Sequence, residues 1–182
     1  MELELNAWAA GDPAGDYTQF FQRSSPYLVR LGYLLLGERT AAEDVAQDVL
    51  EEMYRRWSTL RPDSLSAYAH TSVVNQARSV GRRKTVARKF SFLLATPTVA
   101  ATEPEEDPAL WQLVQTLPRR QREVVVLRYW CDLTEADIAQ VLGVSPGTVK
   151  SSASRALARL AGSLGDGSPV PGQDVATGKE DV

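Results

Sequence analysis

The sequence predicts an all-α protein made of two small helical domains joined by a flexible linker, with a helix-turn-helix in the C-terminal domain. Apolar residues recur at helical spacing through most of the 182 residues, and no hairpin dipeptide lies between alternating apolar runs. A segment rich in proline, small residues and acids divides the helices into two groups. Residues 134–157 carry the caps and the turn glycine of a helix-turn-helix.

Seven helices are expected, and each group of them defines one domain. From apolar periodicity and end signals, the helices cover residues 17–36, 40–58, 65–89, 108–116, 119–131, 134–142 and 146–162. The chain accordingly divides into an N-terminal extension at 1–16, a first domain at 17–92, a linker at 93–107, a second domain at 108–163 and a disordered tail at 164–182.

The first two helices are expected to pack as a pair, because each carries an apolar stripe. Leu28 and Leu31 belong to the stripe of the first helix, and Val49 and Met53 to that of the second. The second helix also has an acidic face beside its apolar stripe. A solvated surface and a docking face for a basic partner both fit its composition. The residues of this face are Asp44, Gln47, Asp48 and Glu51.

The third helix is basic, since residues 64–102 contain six Lys and Arg residues and no acid. Tyr54, Trp57 and the 58–66 loop precede it. Cations beside aromatic rings suit single-stranded or distorted DNA, where phosphates meet the charges and unstacked bases need a flat partner or a pocket. A basic surface helix beside core aromatics is the alternative. The candidate DNA-contacting residues are Asn75, Arg78, Arg82, Arg83 and Lys84.

The helix-turn-helix is predicted from its own end signals. Thr134 and Asp137 form a capping box, Gly143 suits the left-handed position after the first helix, and Ser145 with Pro146 fits the start of the second. A short hairpin with a solvated basic face is the alternative. Outside its apolar stripe, the second helix carries hydroxyls and cations without an acid, as a helix in the major groove requires. These residues include Thr148, Lys150, Ser151, Ser154 and Arg155.

Composition excludes several other classes of protein. The single cysteine, Cys131, permits no internal disulfide, and neither a metal nor another cofactor is expected. The lone histidine, His70, has no serine or cysteine placed to use it, and no phosphate-loop or nucleophile motif is present, so the protein is not expected to be an enzyme. The acidic N-terminus and the lack of a long apolar run predict a cytoplasmic protein without membrane insertion.

Three motifs together resemble a bacterial RNA polymerase sigma factor of the extracytoplasmic-function (ECF) group, closest to an actinobacterial subgroup. The resemblance covers about residues 17–90 and 108–162, which correspond to sigma regions 2 and 4. The leucine-proline entry of the third motif, followed by Val-Leu-Arg-Tyr, is its most specific part. The motifs are LLLGERTAAEDVAQDVLEEMYRRW, AYAHTSVVNQARSVGRRK and LPRRQREVVVLRYWCDLTEADIAQVLGVSPGTVKSSASRALARL.

The resemblance implies a protein that binds core RNA polymerase, directs it to promoters and assists promoter melting. The acidic face would then contact polymerase, the basic third helix would meet the downstream promoter element as duplex and melted strand, and the helix-turn-helix would meet the upstream element. An anti-sigma protein is a further partner that the family implies.

Two positions depart from the family pattern: Ser79 stands where many relatives have aspartate, and Ser152 where many have arginine. Both departures concern the promoter sequence that is recognised more than the function. A stand-alone helix-turn-helix regulator of operator DNA is the alternative function. It leaves the acidic face and the basic third helix unexplained.

Overall fold

The structure is a computed structural model and describes residues 13–90 and 108–165. Both described ranges are helical and contain no strand, which confirms the predicted fold class. The predicted linker at 93–107 lies outside the described residues, as do 1–12 of the N-terminal extension and 166–182 of the tail. The helices are α1 (Pro13–Leu36), α2 (Arg39–Arg55), α3 (Leu65–Phe90), α4 (Pro108–Thr116), α5 (Arg119–Val125), α6 (Glu135–Leu142) and α7 (Pro146–Gly165).

Several helix ends differ from the expected ones. The first helix begins at Pro13, four residues before the expected start and within the predicted N-terminal extension, and the last helix continues to Gly165, three residues beyond its expected end. The second helix ends at Arg55, and the chain continues through two short 3-10 turns, Trp57–Thr59 and Pro62–Ser64, which lead into α3. The fifth helix changes at Val126–Trp130 into a wider π turn, closed by a 3.1 Å hydrogen bond from the Cys131 amide to the Val126 carbonyl. Apolar periodicity does not distinguish an α turn from a π turn, so the sequence could not indicate this change.

The first domain is a pair of helices, α1 and α2, with α3 packed against both. Leu28, Leu31 and Met53 are fully buried between them, as expected from the apolar stripes. The backbones approach closely at Gly32, where an added Cβ would lie 3.2 Å from Ala42. Small residues at this crossing bring the two helices into contact and leave the outer face of α2 to solvent.

The second domain packs α5 and α6 against α7, and it does not stand apart from the first. One continuous cluster of buried apolar residues runs from Phe20 in α1 through Val73 in α3 to Ile138 in α6 and Val149 in α7. The two domains therefore bury apolar surface against each other, which brings the basic helix α3 against α6.

Candidate nucleic-acid and polymerase interfaces

The helix-turn-helix forms with the predicted caps. The Asp137 amide donates to the Thr134 hydroxyl at 3.2 Å, and the Thr134 amide donates to the Asp137 carboxylate at 3.3 Å. Gly143 ends α6 in the left-handed conformation, with φ of +64°. The Thr148 amide donates to the Ser145 hydroxyl at 3.3 Å and begins α7. These bonds fix where each helix begins and ends, and thereby which side of α7 faces outward.

The outward side of α7 carries the predicted upstream-element residues. Thr148, Lys150, Ser154 and Arg155 are exposed, and Ser151 is half-buried. Within the two described ranges, neither Lys150 nor Arg155 has a carboxylate within ion-pair distance. Their charges are therefore open to an external anion such as a phosphate.

Two residues of α7, Ser152 and Leu157, differ in burial from what the sequence indicated. Ser152 is buried, so its departure from the family pattern lies on the protein-facing side of the helix. Leu157, expected within the apolar stripe, is instead 44 % exposed and lines a groove with Tyr129 and Ile138. Leu157 lies at the margin of the stripe, where α5 does not cover it completely, and this explains its exposure.

The basic helix α3 presents its five candidate residues in three different situations. Asn75, Arg82 and Arg83 are exposed. Lys84 pairs with Glu38 at the start of α2. Arg78, in contrast, turns toward the second domain, where it is bound by protein groups. Four of the five residues are thus exposed on α3, one of them in an ion pair, and the fifth is engaged at the domain interface.

The predicted polymerase-binding residues lie together on the outer side of α2. Asp44, Gln47, Asp48 and Glu51 are all exposed, and Gln47 donates to Glu51 at 3.0 Å. No lysine or arginine in the described part of the chain pairs with Asp44 or Asp48. The face therefore keeps its negative charge available to a basic partner.

The aromatic residues before α3 separate into a core residue and a surface residue. Trp57 packs against Phe20 and Tyr17, with ring centroids 5.1 and 5.2 Å apart, and so supports the fold. Tyr54 is 63 % exposed, and its ring centroid lies 4.8 Å from that of Tyr17. Only Tyr54 of this pair presents a ring on which an unstacked base has room to stack.

A bidentate ion pair joins the domains at Arg78. Its guanidinium donates to both carboxylate oxygens of Glu123, each at 2.9 Å, and reaches the Leu142 carbonyl at 3.4 Å. The side chains are only 16 % and 5 % exposed. The hydrogen bonds to Glu123 raise the pKa of Arg78, against the opposing effect of burial. Sequence analysis did not identify Glu123, whose only signal is a single acid in an otherwise basic and apolar stretch.

A second set of polar contacts joins the domains at the end of α1. Arg122 donates to the Leu35 carbonyl at 3.0 Å, and the Gln115 amide donates to the Leu34 carbonyl at 2.9 Å. Arg122 also donates to the Gln115 side-chain oxygen at 2.6 Å. The second domain thus supplies donors to carbonyls that α1 itself leaves unpaired at its C-terminus.

Aromatic stacks complete the contact between the domains. Tyr27 stacks on Trp130 with centroids 4.6 Å apart, and Tyr33 stacks on Trp111 at 5.3 Å with planes 9° apart. The Tyr27 hydroxyl also lies 2.7 Å from the Nε2 atom of His70. These contacts lie between residues far apart in sequence, and sequence analysis did not predict them.

Of the two groups considered for chemistry, His70 is buried and Cys131 is half-buried. Burial lowers the pKa of His70 to about 4 and raises the pKa of Cys131 to about 12, so both are neutral near pH 7. Among residues 13–90 and 108–165, no group of three His, Cys, Asp or Glu residues is arranged to hold a metal ion. No helix in those same ranges is long and apolar enough to cross a membrane.

Comparison with known proteins identifies both halves of the chain. Residues 20–86 match the sigma-70 region 2 family and residues 108–160 match the sigma-70 region 4 family. The RNA polymerase sigma-E factor of Streptomyces coelicolor is 34% identical over 148 residues, which span 80% of this chain and 84% of the relative. The ECF RNA polymerase sigma factor SigM of Mycobacterium tuberculosis is 34% identical over 163 residues, 88% and 83% of the two chains.

Solved structures agree with these matches. The sigma factor RpoE of Bartonella quintana, crystallised with the anti-sigma factor NepR, aligns with a TM-score of 0.70 at 26% identity, over 84% of this chain and 99% of that one. CnrH, solved with the cytosolic domain of CnrY, shares the fold with a TM-score of 0.65 at 23% identity, over 90% and 97%. The chain therefore belongs to the sigma-70 family, as an actinobacterial ECF sigma factor that directs RNA polymerase in transcription initiation.

Proposed function

We propose that the protein divides its work as a sigma factor among three surfaces. The acidic face of α2, centred on Asp44 and Asp48, binds core polymerase. The basic helix α3, together with the 58–66 loop, binds the downstream promoter element as it melts. The outward side of α7 binds the upstream element. Residues 17–92 are accordingly sigma region 2, residues 108–163 are sigma region 4, and the protein itself catalyses no reaction.

The observation that carries this assignment is the outward side of α7. Helix α7 follows the turn at Gly143, and its exposed hydroxyls and cations have no acid among them. Residues in the first turns of such a helix reach base edges, while cations along its sides meet phosphates. Lys150 and Arg155 supply those cations, and Thr148 and Ser154 supply hydroxyls for bases or phosphates.

The two surfaces of region 2 fit two different partners because their charges are opposite. The face of α2 is negatively charged, whereas α3 exposes the positively charged Arg82 and Arg83 together with the neutral Asn75. Weak binding by each region adds through the polymerase, because attachment to one scaffold raises effective concentration. The linker at 93–107, outside the described residues, is proposed to run along polymerase.

The first test compares Arg155→Ala with Arg159→Ala. Both residues are exposed arginines of α7, but Arg159 lies one turn further from the N-terminal end that enters the groove. Run-off transcription with core polymerase should fall about tenfold for Arg155→Ala, which corresponds to about 1.4 kcal/mol, and less for Arg159→Ala. Affinity for core polymerase should not change. Loss of core binding by Arg155→Ala would contradict the assignment of α7 to DNA.

The second test separates the two surfaces of region 2. Asp48→Ala should weaken core binding, whereas Glu135→Ala, an exposed acid of α6, serves as a control that should not. Arg82→Ala should reduce initiation on a duplex promoter, and a promoter opened beforehand at the downstream element should largely restore it. If opening restores nothing, Arg82 acts at a step other than melting.

Two further assignments extend the family identity. A cytoplasmic location is proposed because core polymerase and promoter DNA are found there. An anti-sigma protein is proposed as a partner, supported by the solved complex of the sigma factor RpoE with the anti-sigma factor NepR. Copurification of the chain from its own cells, followed by identification of bound proteins, tests this partner directly.

A further inference from the structure

One predicted DNA contact is not available to DNA in this structure. Arg78 belongs to the basic helix α3, yet its side chain is 16 % exposed, whereas Asn75 on the preceding turn and Arg82 on the following turn are exposed. Its fork of donors is occupied by the two carboxylate oxygens of Glu123. A carboxylate accepts this bidentate geometry much as a phosphate does, so Glu123 uses the donors that Arg78 would otherwise offer to a phosphate.

We infer that Glu123 acts as an internal latch: in the free protein it holds Arg78 against region 4 in place of the promoter phosphate. The inference rests on the proposed role of Arg78 at the downstream element. The closed contact then lowers the affinity of the free protein for promoter DNA, since the state that binds DNA is only a fraction of the population.

The surroundings of Glu123 allow the latch to open without leaving a buried charge alone. The guanidinium groups of Arg119 and Arg120 lie 3.6 and 3.7 Å from its carboxylate. When Arg78 leaves, these two residues remain to compensate the negative charge, and Arg78 gains a phosphate in exchange. The ion pair is thus an exchangeable one, unlike a buried pair whose separation leaves one charge without a partner.

The rest of the domain interface keeps the latch closed. Gln115 and Arg122 bind the C-terminal carbonyls of α1, and the stacks of Tyr27 on Trp130 and of Tyr33 on Trp111 add apolar contact. None of these contacts covers the outer side of α2, where Asp44 and Asp48 stay exposed. Polymerase therefore docks on the closed protein, whereas contact of Arg78 with DNA requires the domains to part.

The test measures DNA binding by the free full-length protein. The probe is a fluorescent oligonucleotide carrying the single-stranded downstream element of a promoter mapped by run-off transcription. Glu123→Gln should tighten binding roughly 5- to 100-fold, the usual range for coupling between two sites. Gln115→Ala, which loosens the interface without changing any charge, should also tighten it. Glu135→Gln removes an exposed carboxylate of the same domain and should have little effect.

Opening is followed independently through the native thiol of Cys131. This side chain is half-buried beside Tyr27 at the interface, and desolvation raises the pKa of its thiol to about 12. A water-soluble thiol reagent should therefore modify Cys131 faster in Glu123→Gln and in Gln115→Ala than in the parent protein. A far-UV circular dichroism spectrum equal to that of the parent shows that each variant is folded.

The outcomes separate the latch from the proposed DNA role. If both variants expose Cys131 but bind the oligonucleotide no more tightly, Glu123 does not restrain Arg78 and the latch is refuted. Unchanged labelling of Cys131 in both variants would equally refute it. The role of Arg78 itself is measured in the holoenzyme, where Arg78→Ala should reduce initiation. Normal initiation by Arg78→Ala would overturn the DNA role, whatever the free protein does.

Discussion

Gly37 offers a sharp test of whether the domains pack as described. It has φ of +76° just after α1, and an added Cβ would lie 2.7 Å from the side-chain oxygen of Gln115. Gly143, after α6, has a similar φ of +64° but nothing within 4 Å of such a Cβ. Alanine meets the same backbone strain at both positions, about 1 to 2 kcal/mol, but a collision with the other domain only at position 37.

The collision at position 37 should lower the free energy of unfolding, because it displaces the Gln115 side chain. Moving the Gln115 amide breaks its bond to the Leu34 carbonyl and the bond that it accepts from Arg122. A neutral hydrogen bond contributes about 1 kcal/mol and one to a charged group about 2 kcal/mol, part of which water restores. We therefore expect Gly37→Ala to lower the free energy of unfolding by about 3 kcal/mol and Gly143→Ala by about 1 kcal/mol.

Urea denaturation followed by far-UV circular dichroism measures both changes. In a Gln115→Ala background, the excess cost of Gly37→Ala over Gly143→Ala should disappear, because nothing remains to collide with the new methyl group. Equal costs for the two glycine substitutions in the parent protein would refute the packing of Gln115 against the end of α1, and with it the contact between the domains at this point.

Three further measurements test other parts of the structure. Burial lowers the pKa of His70 from 6.5 to about 4, so only the unfolded chain binds a proton at this residue as the pH falls between those values. The free energy of unfolding should therefore decrease by about 3 kcal/mol between pH 6.5 and 4. The variant His70→Gln keeps a polar group facing Tyr27 and should lack this decrease in urea titrations. Thr134→Ala should cost about 1 kcal/mol in the same assay through loss of the N-cap, and no loss would mean that the capping box contributes nothing in solution. Leu157→Ala should cost about 1 kcal/mol and the fully buried Leu127→Ala about 2 to 5 kcal/mol, so equal losses would contradict the exposure of Leu157.

The positions and ends of the helices were predicted from local signals in the sequence. Thr134, Asp137, Gly143 and Ser145 act within a few residues of one another, so their effect on helix ends is independent of the rest of the fold. The apolar stripes likewise depend only on helical periodicity. The exposed sides of α2, α3 and α7 are the complement of those stripes, and most of the candidate site residues are exposed there.

Local signals did not predict the π turn or the position of the Arg78 side chain at the domain interface. Both an α turn and a π turn keep Val126 and Leu127 buried, so hydrophobic spacing does not separate them. Arg78 has the same sequence features as Arg82, a cation on the polar side of a basic helix, yet Arg78 is half-buried at the domain interface and Arg82 is exposed.

The sequence by itself therefore determined the helices, their caps, the charge of each face and, through its motifs, the sigma-factor family. Only the tertiary structure decided that regions 2 and 4 share a core and that Glu123 binds Arg78, 45 residues away along the chain. The physical reason is the range of the interactions. Caps and periodicity act between neighbours, whereas a bidentate ion pair and a stack such as Tyr27 on Trp130 form only after packing has brought distant helices together.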